Sequence, residues 1–440
     1  MALYAHIVGW GKYIPEKVVT NQDIAEFMDT SDDWIKTRTG ISERRFATEN
    51  ETTATMAIAA ARLALDRARI VPKAVDLIIV ATLSPEQPFP ATASLVQDAI
   101  GARSAGAFDL SSACSGFIYG LSMASAMIQS GSSKVVLVIG SETVSRFLDD
   151  HDRTTYPLFG DGAGAVVLQA HQTPGGVLST VLGSDGSGAE HLSIPAGGSK
   201  LPASQYTVDE RLHCMQMNGR EVYRFATRIM GKVARQACDR AGVDIDEIDL
   251  FIPHQANIRI IRSATKYLKI SDDKVFTNLE KYGNTSTASI PIALCEAIEQ
   301  GRVRNNDRLV MVGFGGGLSW GATVVKWGLP MPYKRRTWWY RSVRWFVYRW
   351  ARVRSSYLRL SRRLESLIHN GKDDHYLIPD KTEPKDKTKE NGRTPPQERN
   401  GTGPDQIETS PELPISEPAE TEEQVLEVEK PLVNGKKPDQ

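Results

Sequence analysis

The feature that most limits how this chain can fold is that its first 330 residues read twice. Ala64-Leu-Asp-Arg-Ala68 followed by Val75-Asp-Leu-Ile-Ile-Val80 matches Ala237-Cys-Asp-Arg-Ala241 followed by Ile248-Asp-Leu-Phe-Ile-Pro253, 173 residues later. Each copy reads as the end of a helix and then a buried strand. The same spacing pairs Leu121 with Leu294, and Gly140 after Val135-Val-Leu-Val-Ile139 with Gly313 after Leu309-Val-Met-Val312. Amphipathic stretches alternating with short β-branched runs are the pattern of a mostly parallel sheet covered by helices. The repeat therefore predicts two packed, pseudo-symmetric α/β halves, residues 1–172 and 173–330. Each half closes on a Gly-rich strand, Gly162-Ala-Gly-Ala-Val-Val167 and Gly321-Ala-Thr-Val-Val325, where glycine lets backbones approach closely.

Charge marks what lies beyond the repeat. The 440 residues carry 53 Lys+Arg against 53 Asp+Glu, which excludes a uniformly basic nucleic-acid binder. The balance hides an asymmetry: residues 331–370 hold eleven Lys/Arg and one Glu, whereas residues 371–440 hold ten basic and seventeen acidic residues. Four of the eight tryptophans (Trp338, Trp339, Trp345, Trp350) fall in the basic segment, and the acidic one has no Trp or Phe. A basic aromatic helix followed by a disordered acidic tail is expected. Cys114, Cys214, Cys238 and Cys295 lie far apart with no CxxC pair, so neither a structural zinc site nor a disulfide framework is expected. The start of the chain lacks a basic stretch followed by an apolar one, and no run approaches the ~18 apolar residues of a spanning helix, so a cytoplasmic setting is expected.

Chemistry concentrates where the two halves correspond in position but differ in residue. Ser111-Ser-Ala-Cys-Ser-Gly116 precedes the helical run Phe117 to Gln129, placing Cys114 near a helix N-terminus, where unpaired N–H groups and the helix dipole favour a thiolate. The alternative is a small buried cysteine at a turn. In the second half His254 follows a strand directly, and Tyr282-Gly-Asn284-Thr-Ser-Thr287 opens the next helix. The 173-residue spacing equates Cys114 with Thr287, so the Cys114 and Asn284 loops should face one another across the pseudo-twofold axis.

Ala113-Cys114-Ser-Gly116, His254-Gln-Ala-Asn257, Gly283-Asn284-Thr-Ser286 and Gly315-Gly-Gly317 together resemble the motif set of the β-ketoacyl-acyl-carrier-protein synthase III family. Asp32-Asp-Trp34-Ile-Lys-Thr-Arg38-Thr39-Gly-Ile41 and Phe159-Gly-Asp161-Gly162 extend the likeness, which covers residues 1 to about 329. The resemblance implies a thiolase-like fold, two duplicated α/β halves in a layered αβαβα arrangement, working as a homodimer. It implies that an acyl-CoA primer acylates Cys114 and that His254 and Asn284 promote decarboxylation of malonyl-acyl-carrier-protein, whose carbanion attacks the acyl-cysteine. The N–H groups of Cys114 and Gly316 would form the oxyanion hole. Trp34, Arg38, Thr39, Arg153, Gly219 and Asn257 match coenzyme A contacts, and Phe89 matches a primer-pocket residue contributed across the dimer interface. No metal and no permanently bound cofactor is implied. Arg259, Arg262 and Lys266 follow His254 at helical spacing as a basic face suited to an acidic carrier protein. A degradative thiolase is disfavoured because the Gly313-Phe314-Gly-Gly-Gly317 loop holds no second cysteine. A secondary-metabolite acyltransferase or hydroxymethylglutaryl-CoA-type synthase on the same fold, and a non-catalytic scaffold, remain as alternatives.

The resemblance does not reach residues 331–370. There Trp339, Val343, Phe346, Trp350, Val353, Tyr357, Leu360, Leu364 and Leu367 recur at steps of four and three, forming one stripe on a helix of about thirty residues. Arg341, Arg344, Arg349, Arg352, Arg359, Arg362 and Arg363 fall mostly outside it. Peripheral contact with an anionic membrane surface through residues 331–370 is expected, with packing on the synthase body or a partner helix as the alternative; Arg and aromatics also suit nucleic acid, but no nucleic-acid partner is expected.

Overall fold

The computed structural model describes residues 2–328 and 338–369, so the expected acidic tail at 371–440 lies outside the described residues. The strands of one sheet come from the first half: β1 (Tyr4–Tyr13), β2 (Leu77–Ala81), β3 (Gly106–Leu110), β4 (Val135–Glu142) and β5 (Gly162–His171), in the order β1-β5-β4-β2-β3. The second sheet, β6 (Gly176–Ser184), β7 (Leu250–Pro253), β8 (Arg308–Gly315) and β9 (Ser319–Lys326), runs β7-β8-β9-β6. In the second half the fifth strand shrinks to one bridge between Phe251 and Val275.

Both sheets are mixed, a correction to the mostly parallel expectation. Only β2–β3, β2–β4 and β7–β8 are parallel; β4–β5, β5–β1, β8–β9 and β9–β6 are antiparallel. The connections β4→β5 and β8→β9 contain no long crossover helix, and without one the chain can only return antiparallel. Composition does not show this, since a strand buried on both faces is an apolar run in either direction.

Alternate side chains of each strand enter different cores. Ile79, Val138 and Val166 pack inward with Phe117, Leu121, Ile290, Leu294 and Met311, while Ile78, Val80 and Leu137 pack outward on Met56, Ala60 and Ala64. The inner layer is therefore the helix pair α4 (Gly116–Gln129) and α7 (Ser289–Glu299), held between the two sheets. Outside the first sheet lie α2 (Thr53–Ala68) and α3 (Thr92–Ile100); outside the second lie α5 (Gly219–Ala241) and α6 (Ile258–Leu268), around Ala234, Ala237, Ala264 and Phe251. This is the expected αβαβα layering. Each fully buried Ile or Leu in it contributes about 1.5–3 kcal/mol of transfer free energy.

The last described helix, α8 (Trp338–His369), packs on α3. Ala351 is buried against Gly101, the Ser355 hydroxyl donates to Asp98 at 2.5 Å, and the Tyr348 hydroxyl donates to Asp66 at 3.3 Å. Arg62 lies 4.9 Å from the Tyr348 ring centre. The helix is thus docked on the body, but by a small and polar face that the stripe pattern does not contain.

Candidate active site

The pseudo-twofold axis brings the two corresponding turns together. Ala113 and Ser286, 173 residues apart, both take the left-handed conformation (φ 42° and 49°). Each begins a single tight turn, Ala113–Ser115 or Ser286–Ala288, that leads into α4 or α7. A non-glycine residue there costs about 1 kcal/mol or more and persists only where the surroundings enforce it. The enforcement is reciprocal. A Cβ added to Gly140 of β4 would lie 2.4 Å from the Thr287 carbonyl oxygen, and one on Gly313 of β8 would lie 3.2 Å from that of Cys114. Each central strand thus cradles the turn of the other half. Cys114 Sγ lies 3.5 Å from Ser286 Oγ.

Gly315 approaches the Cys114 turn closely: a Cβ there would sit 2.6 Å from the Cys114 backbone nitrogen. Backbone cannot give way as a flexible side chain can. Gly315→Ala is expected to displace the turn, lower acylation of Cys114 at least tenfold and cost about 1–3 kcal/mol of stability, as read by intact mass and by thermal unfolding.

Cys114 is buried between two cavities. The larger, of about 530 Å³, is mostly apolar, with Leu110, Tyr119, Ile194 and Met215 among its lining, and Gly316 lies on its wall. The narrower, of about 90 Å³, is lined by Cys114, His254, Asn284, Gly219, Asn257 and Tyr223. It brings together the three residues expected to be catalytic and the two expected along a pantetheine arm. Burial pushes the Cys114 thiol up to about 12, with Ser286 and Asn284 opposing the shift and the nearby Glu142 carboxyl adding to it. Desolvation thus opposes the thiolate that the N-terminus of α4 favours.

His254 follows β7, its backbone N–H donating to the Val312 carbonyl at 2.7 Å. Its ring stands edge-on to Phe314, centroids 5.3 Å apart, and Nδ1 lies 2.6 Å from Ser289 Oγ, the second residue after Thr287. Burial lowers its pKa to about 3, which favours the neutral imidazole. Asn284 is held by the first half: its N–H donates to the Leu158 carbonyl at 2.8 Å, and its own carbonyl accepts from Gly160 at 3.0 Å. Its Oδ1 accepts from the Ser286 N–H at 2.9 Å, which fixes the amide so that its NH₂ remains for a ligand.

One buried group was not singled out from sequence. Glu142, at the end of β4, accepts hydrogen bonds from the Leu83 and Ser84 N–H groups (3.2 and 3.1 Å), the Ser84 hydroxyl (2.5 Å) and the Thr287 hydroxyl (2.9 Å). Burial raises its pKa. It fastens the turn opposite Cys114 to the first half. The visible signal is a charged residue closing the apolar run Val135–Gly140.

The expected nucleotide contacts divide. Helix α1 (Asp32–Thr39) carries Trp34, with the Arg38 and Arg153 guanidinium groups 4.8 and 5.2 Å from its ring centre, a cation–π platform. Arg153 also donates to the Asp29 carboxylate at 3.1 Å, whereas Asp149 and Asp150 pair with Arg211. Asn257 Nδ2 donates to the Arg38 carbonyl at 3.0 Å, joining this platform to the narrow cavity. Thr39 ends the same helix. It is buried, its hydroxyl donating to the Ile35 carbonyl at 2.6 Å and accepting from the Ile41 N–H at 3.0 Å, so the hydroxyl is engaged in closing α1. Arg259, Arg262 and Lys266 lie on the outer face of α6, with Arg259 5.4 Å from the centre of the Tyr223 ring. Arg224, Arg228 and Lys232 are exposed on α5, which packs on α6. Phe89 is 85% exposed and lines neither cavity of its own chain.

Comparison with known proteins decides the family. Models for 3-oxoacyl-[acyl-carrier-protein] synthase III match residues 108–186, and those for its C-terminal portion match residues 238–327. The chain is 51% identical over 325 residues to the β-ketoacyl-[acyl-carrier-protein] synthase III of Clostridioides difficile (strain 630), covering 74% of this chain and 99% of that one. The chain belongs to the β-ketoacyl-acyl-carrier-protein synthase III family. The Symbiobacterium thermophilum member is 52% identical over 322 residues, 73% of this chain and 98% of its own. The crystal structure of the Aquifex aeolicus VF5 synthase III superposes with a TM-score of 0.68 at 47% identity, covering 73% of this chain and all of that one. As a family member the synthase is a condensing acyltransferase: it joins a primer to malonyl-acyl-carrier-protein with loss of carbon dioxide, starting fatty acid synthesis. The matches leave α8 outside the family's common body.

Proposed function

We propose that Cys114 is the residue acylated by an acyl-CoA primer, and that His254 and Asn284 are the donors that carry the decarboxylation. The observation that supports this division most is the position of Cys114 where the apolar cavity meets the narrow one that it shares with both donors. The acyl chain enters the larger cavity, and the pantetheine arm lies along Gly219 and Asn257 toward Trp34, Arg38 and Arg153.

The chemistry then proceeds in two halves. Thiolate attack on the primer thioester expels coenzyme A thiolate, the oxyanion being met by the N–H groups of Cys114 and Gly316. The N-terminus of α4 offsets part of the cost of ionising a buried sulfur, and the thiol proton leaves on the expelled coenzyme A thiolate. The malonyl thioester next occupies the narrow cavity. With Nδ1 engaged by Ser289, His254 presents Nε2, and Asn284 presents its NH₂, to the thioester oxygen on which charge builds as carbon dioxide leaves. The carbanion attacks the acyl carbon on Cys114, and the sulfur departs.

Three further assignments belong to this reading. The carrier protein docks on Arg259, Arg262 and Lys266 with the neighbouring basic residues of α5. A second copy of the chain inserts Phe89 toward the primer cavity, making the working unit a cytoplasmic homodimer. Membrane contact through residues 331–370 would use none of these surfaces. The test is product formation: acyl-CoA, malonyl-acyl-carrier-protein and the synthase should yield 3-oxoacyl-acyl-carrier-protein and one carbon dioxide per turnover. Transfer to a hydroxyl or amine acceptor without carbon dioxide release would instead establish an acyltransferase of another kind.

A further inference from the structure

The way α8 docks leaves the described part of its apolar stripe, Trp350 to Leu364, facing outward. Tyr348, Ala351 and Ser355 meet the body, and at ~100° per residue the stripe falls on the far side of the cylinder. Trp350, Tyr357, Leu360 and Leu364 are 65%, 66%, 56% and 51% exposed, and Val353 lies among them. A continuous apolar face of this kind on a protein surface marks an interaction site.

Its charge selects the partner. The helix contains eight arginines and one glutamate, so a second copy of the same face would bring like charge against like. Arg354 and Arg362 share a recess of about 260 Å³ with Arg103 at the seam between α8 and α3. The one carboxylate lining it, Asp98, already accepts the Ser355 hydroxyl, so the recess carries excess positive charge beside the stripe. Trp and Tyr in an apolar stripe bordered by arginines suit the boundary between acyl chains and phosphate headgroups. No described helix is long and apolar enough to cross a membrane, which leaves a helix lying in the surface plane.

We infer that the outward face of α8 binds an anionic lipid surface in plane, with the stripe among the acyl chains and the arginines at headgroup level, while the opposite face keeps the synthase body attached. The inference does not rest on the catalytic assignments. It is tested by co-sedimenting the full chain with vesicles of phosphatidylglycerol and phosphatidylcholine or of phosphatidylcholine alone, at low and high salt. Binding to the anionic vesicles is expected, at least tenfold weaker on neutral ones and falling as salt shortens the Debye length from ~10 Å at 0.1 M. Trp350→Ser/Leu360→Ser should lower binding at least tenfold, and Arg354→Gln/Arg362→Gln should weaken it on anionic vesicles alone. Condensing activity on soluble substrates should be unchanged in both variants, which also reports that they fold. Failure of the full chain to bind anionic vesicles at low salt overturns the inference, as does undiminished binding by the Trp350/Leu360 variant. Self-association that this variant abolishes, without vesicle binding by the parent, assigns the stripe to a second copy instead.

Discussion

Replacing Cys114 with alanine is expected to abolish acyl transfer and condensation, by at least ~10⁴-fold, while malonyl decarboxylation continues or becomes easier to observe. In the proposed assignment the nucleophile and the donors are separate groups: Cys114 belongs to the turn before α4, and His254 and Asn284 are set by β7 and by the Leu158–Gly160 segment. Removing the sulfur leaves those donors in place. Its burial also sets a pH dependence in the parent protein. With the thiol pushed up to about 12, the thiolate fraction grows about tenfold per pH unit through the neutral range, so acylation at limiting acyl-CoA should accelerate from pH 6 to pH 9. A rate already level at pH 6 would mean that the helix terminus has overcome desolvation. Label uptake from radioactive acyl-CoA by the alanine variant would remove Cys114 from its role.

The reverse phenotype is expected from the donors. His254→Ala or Asn284→Ala should leave Cys114 open to acylation yet slow condensation by about 10²–10³-fold, the usual effect of losing one oxyanion donor. Because burial holds His254 near 3, the decarboxylation measured in the Cys114→Ala background should stay flat from pH 5 to pH 8. An imidazole with its ordinary pKa would gain a proton across that window and impose an inflection near 6.5. Unimpaired condensation by either donor variant would sink the decarboxylation role, and an inflection near 6.5 would show that His254 is not held neutral.

The residues that declared themselves in sequence are those whose function depends on local order in the chain. The 173-residue repeat equated Cys114 with Thr287, and the structure sets the two turns against each other with matching left-handed residues at Ala113 and Ser286. His254 and Asn284 could be singled out because each follows a strand or opens a helix, positions visible in a one-dimensional pattern. What stayed hidden depends on partners distant in sequence. Glu142 is defined by Ser84 and by Thr287, 145 residues away, and no spacing rule links them. Thr39 lies in a motif that resembles a nucleotide contact, yet its hydroxyl is satisfied four residues back, by Ile35. Strand direction is not legible because burial on both faces erases the alternation that marks antiparallel edges. In α8 the stripe was legible, but the packed face was not: Ala351 and Ser355 are too small and too polar to register in a hydrophobic pattern, and they fit because α3 ends at Gly101.

The central claim is that one sulfur, placed between an acyl cavity and a decarboxylating cavity, links two half-reactions. Intact-mass measurement tests it most directly. The synthase is incubated with a series of acyl-CoAs, each adduct is mapped to its residue, and malonyl-acyl-carrier-protein is then added. One acyl group per chain on Cys114, discharged on that addition together with release of carbon dioxide, is the expected result. An adduct on any other residue, or one on Cys114 that malonyl-acyl-carrier-protein fails to discharge, would contradict it.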